Sequence, residues 1–375
     1  MSTVLRAWIA AVIAAGCLVL PSAAVAVDEA ALVAAADQAA TLGIVVGRDK
    51  EGRVISLDTA AKRSWVDDAQ LKQLLVFPTL TSLVVEGPSV TDDVAPAIAG
   101  CRELTSLSMR NTLVSDAGLV EFAKLGKLRI IDLRVSPLVT DAGADTLAGM
   151  RSLRAVRLNG CNLTDAGVAS LAGLPELREL DLRACRGVTH AGLETLATQA
   201  QLTTLKIGGP KIDDASLAIV GRMRRITSLS LDNGSFTDLG LRPLARLPLD
   251  ELTIFQHTRL TDEGLDVLAA LPQLERLTLR DLPISGPCLA AVAEPARLRS
   301  LSLAQTRLSD DGIGVLGRFT GLESLNLSET AITDAAIETL GTLRTLRELV
   351  LTQTRVTEDA VGRLRGRLPD CRIDL

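Results

Sequence analysis

The side chains able to do chemistry are few and scattered along the 375 residues. There are two histidines, His190 and His257. Neither is spaced from a cysteine and a carboxylate so as to bring the three to one face. The chain contains no phosphate-cradling G-x-x-x-x-G-K, no nucleophile elbow G-x-S-x-G and no Cys/His spacing for zinc. The expectation is therefore a protein that is not an enzyme, with no catalytic residues and no cofactor. What recurs instead is aspartate, at Asp92, Asp116, Asp141, Asp165, Asp214, Asp238, Asp262, Asp310 and Asp334. A row of carboxylates suggests calcium, yet the Gly-x-Asp spacing of calcium-binding repeat loops is missing. Each Asp follows Thr, Ser or Asp, which is how helices start: a capping side chain, then an acid at the positive helix end. No metal is expected, and His190, standing in the same slot as these acids, reads as a helix-start residue.

The elements that carry these residues repeat. Leu80, Leu104, Leu128, Leu153, Leu177, Leu202, Ile226, Leu249, Leu274, Leu298, Leu322 and Leu346 each open a segment of about 24 residues, the mark of a solenoid. Numbering places from that residue, places 4 and 6 are aliphatic in "LTSLSM", "LRAVRL", "LERLTL" and "LESLNL", the alternation of a short strand. Places 16, 19 and 22, as in Ile337, Leu340 and Leu343, recur at helical spacing. In "AITDAAI", Thr333 caps, Asp334 suits the helix dipole and Ile332 staples onto Ile337. One such repeat cannot bury its aliphatics, so each must stack on the next.

The outward strand places 5 and 7 supply the candidate binding residues. Arg110, Arg134, Arg157, Arg183 and Lys206 come from successive repeats and would line adjacent strands about 4.8 Å apart. Asp132 and Asp181 stand among them, so the row reads either as a solvated, salt-bridged face or as a patch for an anionic ligand or acidic partner. Later repeats place Ser230, Thr253, Phe255, Thr278, Arg280, Ser302, Asn326 and Ser328 there, smaller and mostly neutral. Tyr is absent, so partner affinity would rest on Arg and shape.

Places 1, 4 and 6 together with "LTDAGVASLAGL" and "ITDAAIETLGTL" resemble the leucine-rich repeat proteins, of the ribonuclease-inhibitor-like kind and most closely the bacterial branch with "TDAGL" repeats. The resemblance runs from about Val54 to the end and implies an α/β fold: a leucine-rich repeat solenoid, a right-handed α/β horseshoe with a parallel sheet on the concave face and short helices on the convex face. "NGCNLTDAG" and "RACRGVTHAG" are similar to the cysteine-containing subtype found in ubiquitin-ligase adaptors, which implies an adaptor or effector as one alternative role. Cys161 and Cys185 share place 9 and would be buried ladder thiols by that resemblance, or a disulfide if their vectors align. With Cys101, Cys288 and Cys371 they leave an odd number, so at least one thiol is unpaired in an exported chain.

The ends differ from the repeats. Arg6, the apolar run Ala7 to Leu20 and Ala24-Val25-Ala26 read as a secretory signal peptide over residues 1–26. The run is short of the roughly 20 residues that span a bilayer; the alternatives are an uncleaved anchor or lipid attachment at Cys17. Residues 27–79 read as an N-terminal cap: a helix over 28–43, two short strands about "GRDKEG" and a degenerate first repeat. Twelve repeats fill 80–370, and 371–375 is a capping strand. A net charge of −5 gives no reason to expect nucleic acid. The sequence thus points to an exported bacterial scaffold, periplasmic or extracellular, that binds a protein or an anionic polymer on its sheet; a structural envelope protein is a further alternative.

Overall fold

A computed structural model describes residues 29–375; the signal peptide expected over residues 1–26 lies outside the described residues. The chain forms two compact units, one ending at Ile131 and one spanning Asp132–Leu375.

The first unit opens with the helix Glu29–Thr41, which buries Ala35 and Ala39. It ends at Gly43, where φ is +72° and a side chain would be strained. Strands β1 (Val45–Arg48) and β2 (Val54–Asp58) form the antiparallel hairpin about the expected turn. The helix Asp68–Leu74 starts with a capping box, Asp67 accepting from the Gln70 amide and the Gln70 side chain accepting from the Asp67 amide. Strands β3 (Ser82–Glu86) and β4 (Ser106–Arg110) follow, parallel and in register with β2. Strand β5 (Ile130–Asp132) lies at the end of this unit.

The second unit continues the alternation with β6 (Ala155–Arg157), β7 (Glu179–Leu182), β8 (Thr204–Gly208), β9 (Ser228–Asp232), β10 (Glu251–Phe255), β11 (Arg276–Arg280), β12 (Ser300–Ser302), β13 (Ser324–Asn326), β14 (Glu348–Val350) and β15 (Arg372–Asp374). Each is parallel to the next, and the register never slips: Leu180, Leu205, Leu229, Leu252, Leu277, Leu301, Leu325, Leu349 and Ile373 pair in one line. All nine are buried. A slip of one residue would turn this whole line out to solvent, which is why the register holds.

Place 8, just after each strand, takes the left-handed backbone conformation. Asn111, Val135, Ala184, Asn233, Gln256, Asp281, Gln305, Glu329 and Gln353 all have φ between 49° and 60°. The chain must leave the sheet sharply there to reach the helix layer, and Gly160 and Gly209 do the same. In several repeats a place-9 side chain then donates to a carbonyl. The hydroxyls of Thr306, Thr330 and Thr354 donate to the carbonyls of Leu303, Leu327 and Leu351 at 2.7 Å. The thiols of Cys161 and Cys185 donate to Leu133 and Leu158 of the preceding repeats at 3.2 and 3.1 Å. These two cysteines are ladder thiols rather than a disulfide, and burial pushes Cys185 up to about 12, so it stays protonated and unreactive.

The Thr-Asp pair does more than start a helix. Thr164 caps its own helix by accepting from the Ala166 amide. Its amide and hydroxyl also donate to Asp141 of the preceding repeat, at 2.8 and 2.5 Å. The same two bonds join Thr91 to Asp68, Ser115 to Asp92, Thr189 to Asp165, Thr237 to Asp214, Thr261 to Asp238, Thr333 to Asp310 and Thr357 to Asp334. Each carboxylate is thus a staple between repeats. The glycine of "TDAG" makes room for it, because a Cβ at Gly118, Gly167, Gly192, Gly240 or Gly264 would collide with the preceding Asp. Val94, Cys288 and Ala336 fill that slot in 3₁₀ turns, but Ala360 fills it in an α-helix and Gly264 lies in a 3₁₀ helix, so the slot alone does not set the helix type. Where His190 replaces the Asp, the slot in the next repeat holds Ser216, which closes a capping box with Asp213. The uniform short helices expected of every repeat give way to 3₁₀ turns in several, Glu263–Ala270 and Gly314–Arg318 included.

Candidate binding surface

The strands alternate, so places 3, 5 and 7 face away from the helices. In the first unit Arg110 stands on β4 with its guanidinium 3.7 Å from Glu86 of β3. The other four candidates lie in the second unit. Arg134 grips Asp132 with two nitrogens, at 2.9 and 2.8 Å. Arg183 holds Asp181 in the same way, at 2.9 and 2.8 Å. Arg157 forks onto Glu179 of β7, at 2.8 and 2.9 Å, and Lys206 comes within 3.6 Å of the same carboxylate. Across the register Arg157, Asp181, Lys206 and Ser230 stand opposite one another, an alternation of sign that favours the sheet.

Each of the five side chains is half-buried and ion-paired, and Asp132 and Asp181 beneath them are nearly sealed from solvent. Hydrogen bonds from Arg157 hold Glu179 below the usual carboxylate range. Burial raises Asp232, partly offset by Arg183. In the second unit Arg134, Arg157, Arg183 and Lys206 thus form a network of ion pairs rather than free cations.

Beyond it the face is different. Ser230, Thr253, Thr278, Ser302 and Asn326 stand in one row of β9 to β13. Next to them Phe255 and Arg280 are register partners, with the guanidinium 5.1 Å from the ring centroid, a cation–π contact. Both residues share place 7 in neighbouring repeats, which was the sequence signal for their meeting. The Arg280 guanidinium also donates to Gln305 at 2.8 Å, and Gln305 to Glu329 at 3.0 Å.

His257 sits behind this face in the place-9 slot. It is 1% exposed, its ring centroid lies 4.1 Å from that of Phe236, and neither ring nitrogen has a partner among the described residues. Burial, with Arg259 adding and Asp238 opposing, keeps its pKa below the ordinary value. The unfolded ring takes up a proton below about pH 6.5 while the folded ring resists, so stability present above that pH is lost as the pH falls through the folded value. Denaturant midpoints should be lower at pH 5 than at pH 7.5. His257→Thr, which installs the hydroxyl of Thr306 and Thr330, should narrow that difference; an unchanged difference would show that His257 is not its source. His190 is the exposed first residue of the helix His190–Leu196, capped by Thr189.

This open, mostly parallel sheet alternating with short helices has the fold of a leucine-rich repeat solenoid. Residues 149–172 match a family model described as Leucine Rich repeat. An internalin (inlF) from Listeria monocytogenes is similar in structure over 91% of this chain and 94% of its own, at 22% identity and a TM-score of 0.52. A chain from the Rad7 and Elc1 complex in yeast is similar over 84% of this chain and 80% of its own, at 19% identity and a TM-score of 0.59. At these identities the likeness is one of fold. No curated protein sequence matches the chain significantly. Among the described residues no helix is long and apolar enough to cross a membrane.

Proposed function

We propose that this is a non-catalytic scaffold, exported from a bacterial cell, whose outward sheet face binds a protein. One observation carries the reading: β9 to β13 keep unbroken parallel register while their outward row holds the half-buried Thr253, Thr278, Ser302 and Asn326 beside the buried Ser230, polar side chains that the aliphatic core does not need. Small hydroxyls and one amide, with the Arg280–Phe255 pair as anchor, make a polar docking surface with an aromatic and an arginine near its middle. The Arg157, Arg183 and Lys206 network forms a charged border to it, and its internal pairing favours a protein over an anionic polymer as partner. Yeast Rad7 is found in a complex with Elc1, and an adaptor role is the alternative that a ligase component among captured proteins would support.

The test is capture from the native envelope fraction with the full chain and with Thr253→Arg/Ser302→Arg. One stoichiometric protein retained by the first and lost by the second, with both melting alike, is the expected result. Equal capture by both would reject the face, and bulk polymer would favour a structural envelope role. Export rests on Arg6, the run Ala7 to Leu20 and Ala24-Val25-Ala26. Protein made in its own host should begin at Val27; intact Met1 or lipid on Cys17 would overturn cleavage there.

A further inference from the structure

Val135 is the one β-branched residue among the left-handed place-8 positions, with φ of 59°, and it is 52% exposed. That backbone is disfavoured for a branched side chain, and the fold does not need the apolar group there, since Asn111 and Asn233 serve at the same place. Three residues on, Leu138 is 47% exposed beside the exposed Pro137. Its repeat is one residue longer than most. The next loop is tied alongside, Val135 and Asn162 donating their amides to the carbonyls of Asn159 and Val139. It carries Gly160 against Val135, where a Cβ would touch the Val135 backbone and side chain at 3.7 to 3.9 Å. Further along the same edge Arg186 and Lys211 are exposed and make no hydrogen bond or ion pair among the described residues. The nearby carboxylates are committed: Asp141 and Asp165 to the inter-repeat staples and Asp213 to its capping box.

We propose that this loop edge, with Val135 and Leu138 as apolar contacts and Arg186 and Lys211 as cations, docks a protein segment carrying an apolar side chain beside carboxylates. The inference rests on the protein-binding reading above and adds a place and a partner chemistry distinct from the sheet face. Charge complementarity selects the occupant, because the uncommitted charge of this edge is positive. The apolar part is confined to one loop, a footprint for one or two side chains and too small for insertion into a lipid surface.

A displayed library of random linear peptides, panned on the full chain, tests it. The expected consensus is an apolar residue flanked by Asp or Glu. Val135→Asn, which relieves the backbone strain and so keeps or raises the melting temperature, should weaken the selected peptides roughly ten-fold or more. Arg186→Gln/Lys211→Gln should weaken them chiefly at low salt. Peptides indifferent to Val135→Asn but lost with Thr253→Arg/Ser302→Arg would overturn this inference while keeping the sheet-face reading. Binding of anionic lipid vesicles instead of peptides, abolished by the same edge variants, would also overturn it. No enriched peptide and no protein captured from the envelope would sink both.

Discussion

Leu205→Asp is expected to destroy cooperative folding of the repeats around it. Leu205 is fully buried and lies in register between Leu180 and Leu229, both buried as well. Removing a core leucine costs about 2 to 5 kcal/mol, and a carboxylate left there without a partner adds several more. The total rivals the whole stability of an ordinary domain, roughly 5 to 15 kcal/mol. Because stacked repeats depend on their neighbours, amide exchange should accelerate first between β7 and β9. Thr253→Asp, on the outward face of β10 and half-buried, should by contrast shift the urea midpoint little. A soluble Leu205→Asp protein that melts like the wild type would reject the core assignment.

The second large effect is conditional. Gly192→Ala should destabilise the chain by about 2 to 3 kcal/mol, as overpacking does, although alanine is ordinarily the better helix residue. A Cβ there would lie 2.6 Å from the Asp165 carboxylate oxygen, displacing the staple in which Thr189 donates its amide and hydroxyl at 2.7 Å each. Asp165→Ala alone should cost about 2 kcal/mol through those two bonds. In the double variant the carboxylate is gone, and the added methyl should cost little beyond the loss of the staple. Urea unfolding of the four proteins gives the coupling, expected near 2 kcal/mol. Additive effects would mean that the glycine answers to something other than the aspartate. Ser216, opposite His190 rather than an aspartate, shows the same dependence already present in the chain.

The strand and helix halves of each repeat were legible because their periods differ, alternation at Leu180 and Leu182 against helical spacing at Leu193 and Leu196, and all four are buried. The N-terminal helix and hairpin were legible from Gly43 and the turn "GRDKEG", whose backbone demands are local. Cys161 and Cys185 were legible as ladder thiols only through family resemblance; the carbonyls they bond belong to the preceding repeats. The left-handed place 8 had a readable trace in its Asn, Gln and Gly content, obscured by Val135, Ala184 and Glu329.

What the sequence determined by itself is the repeating plan, since burial of one aliphatic stripe on a strand and one on a helix follows from spacing alone. What the tertiary structure decided is every relation between repeats. Asp141 and Thr164 are separated by a whole repeat in the chain, and only stacking brings the carboxylate to the amide and hydroxyl it accepts from. Arg157 chooses Glu179, while Arg134 and Arg183 fold back onto Asp132 and Asp181. That choice, which turns a row of cations into a neutralised network, depends on a few ångströms of side-chain reach between neighbouring strands, a quantity that the order of residues does not contain.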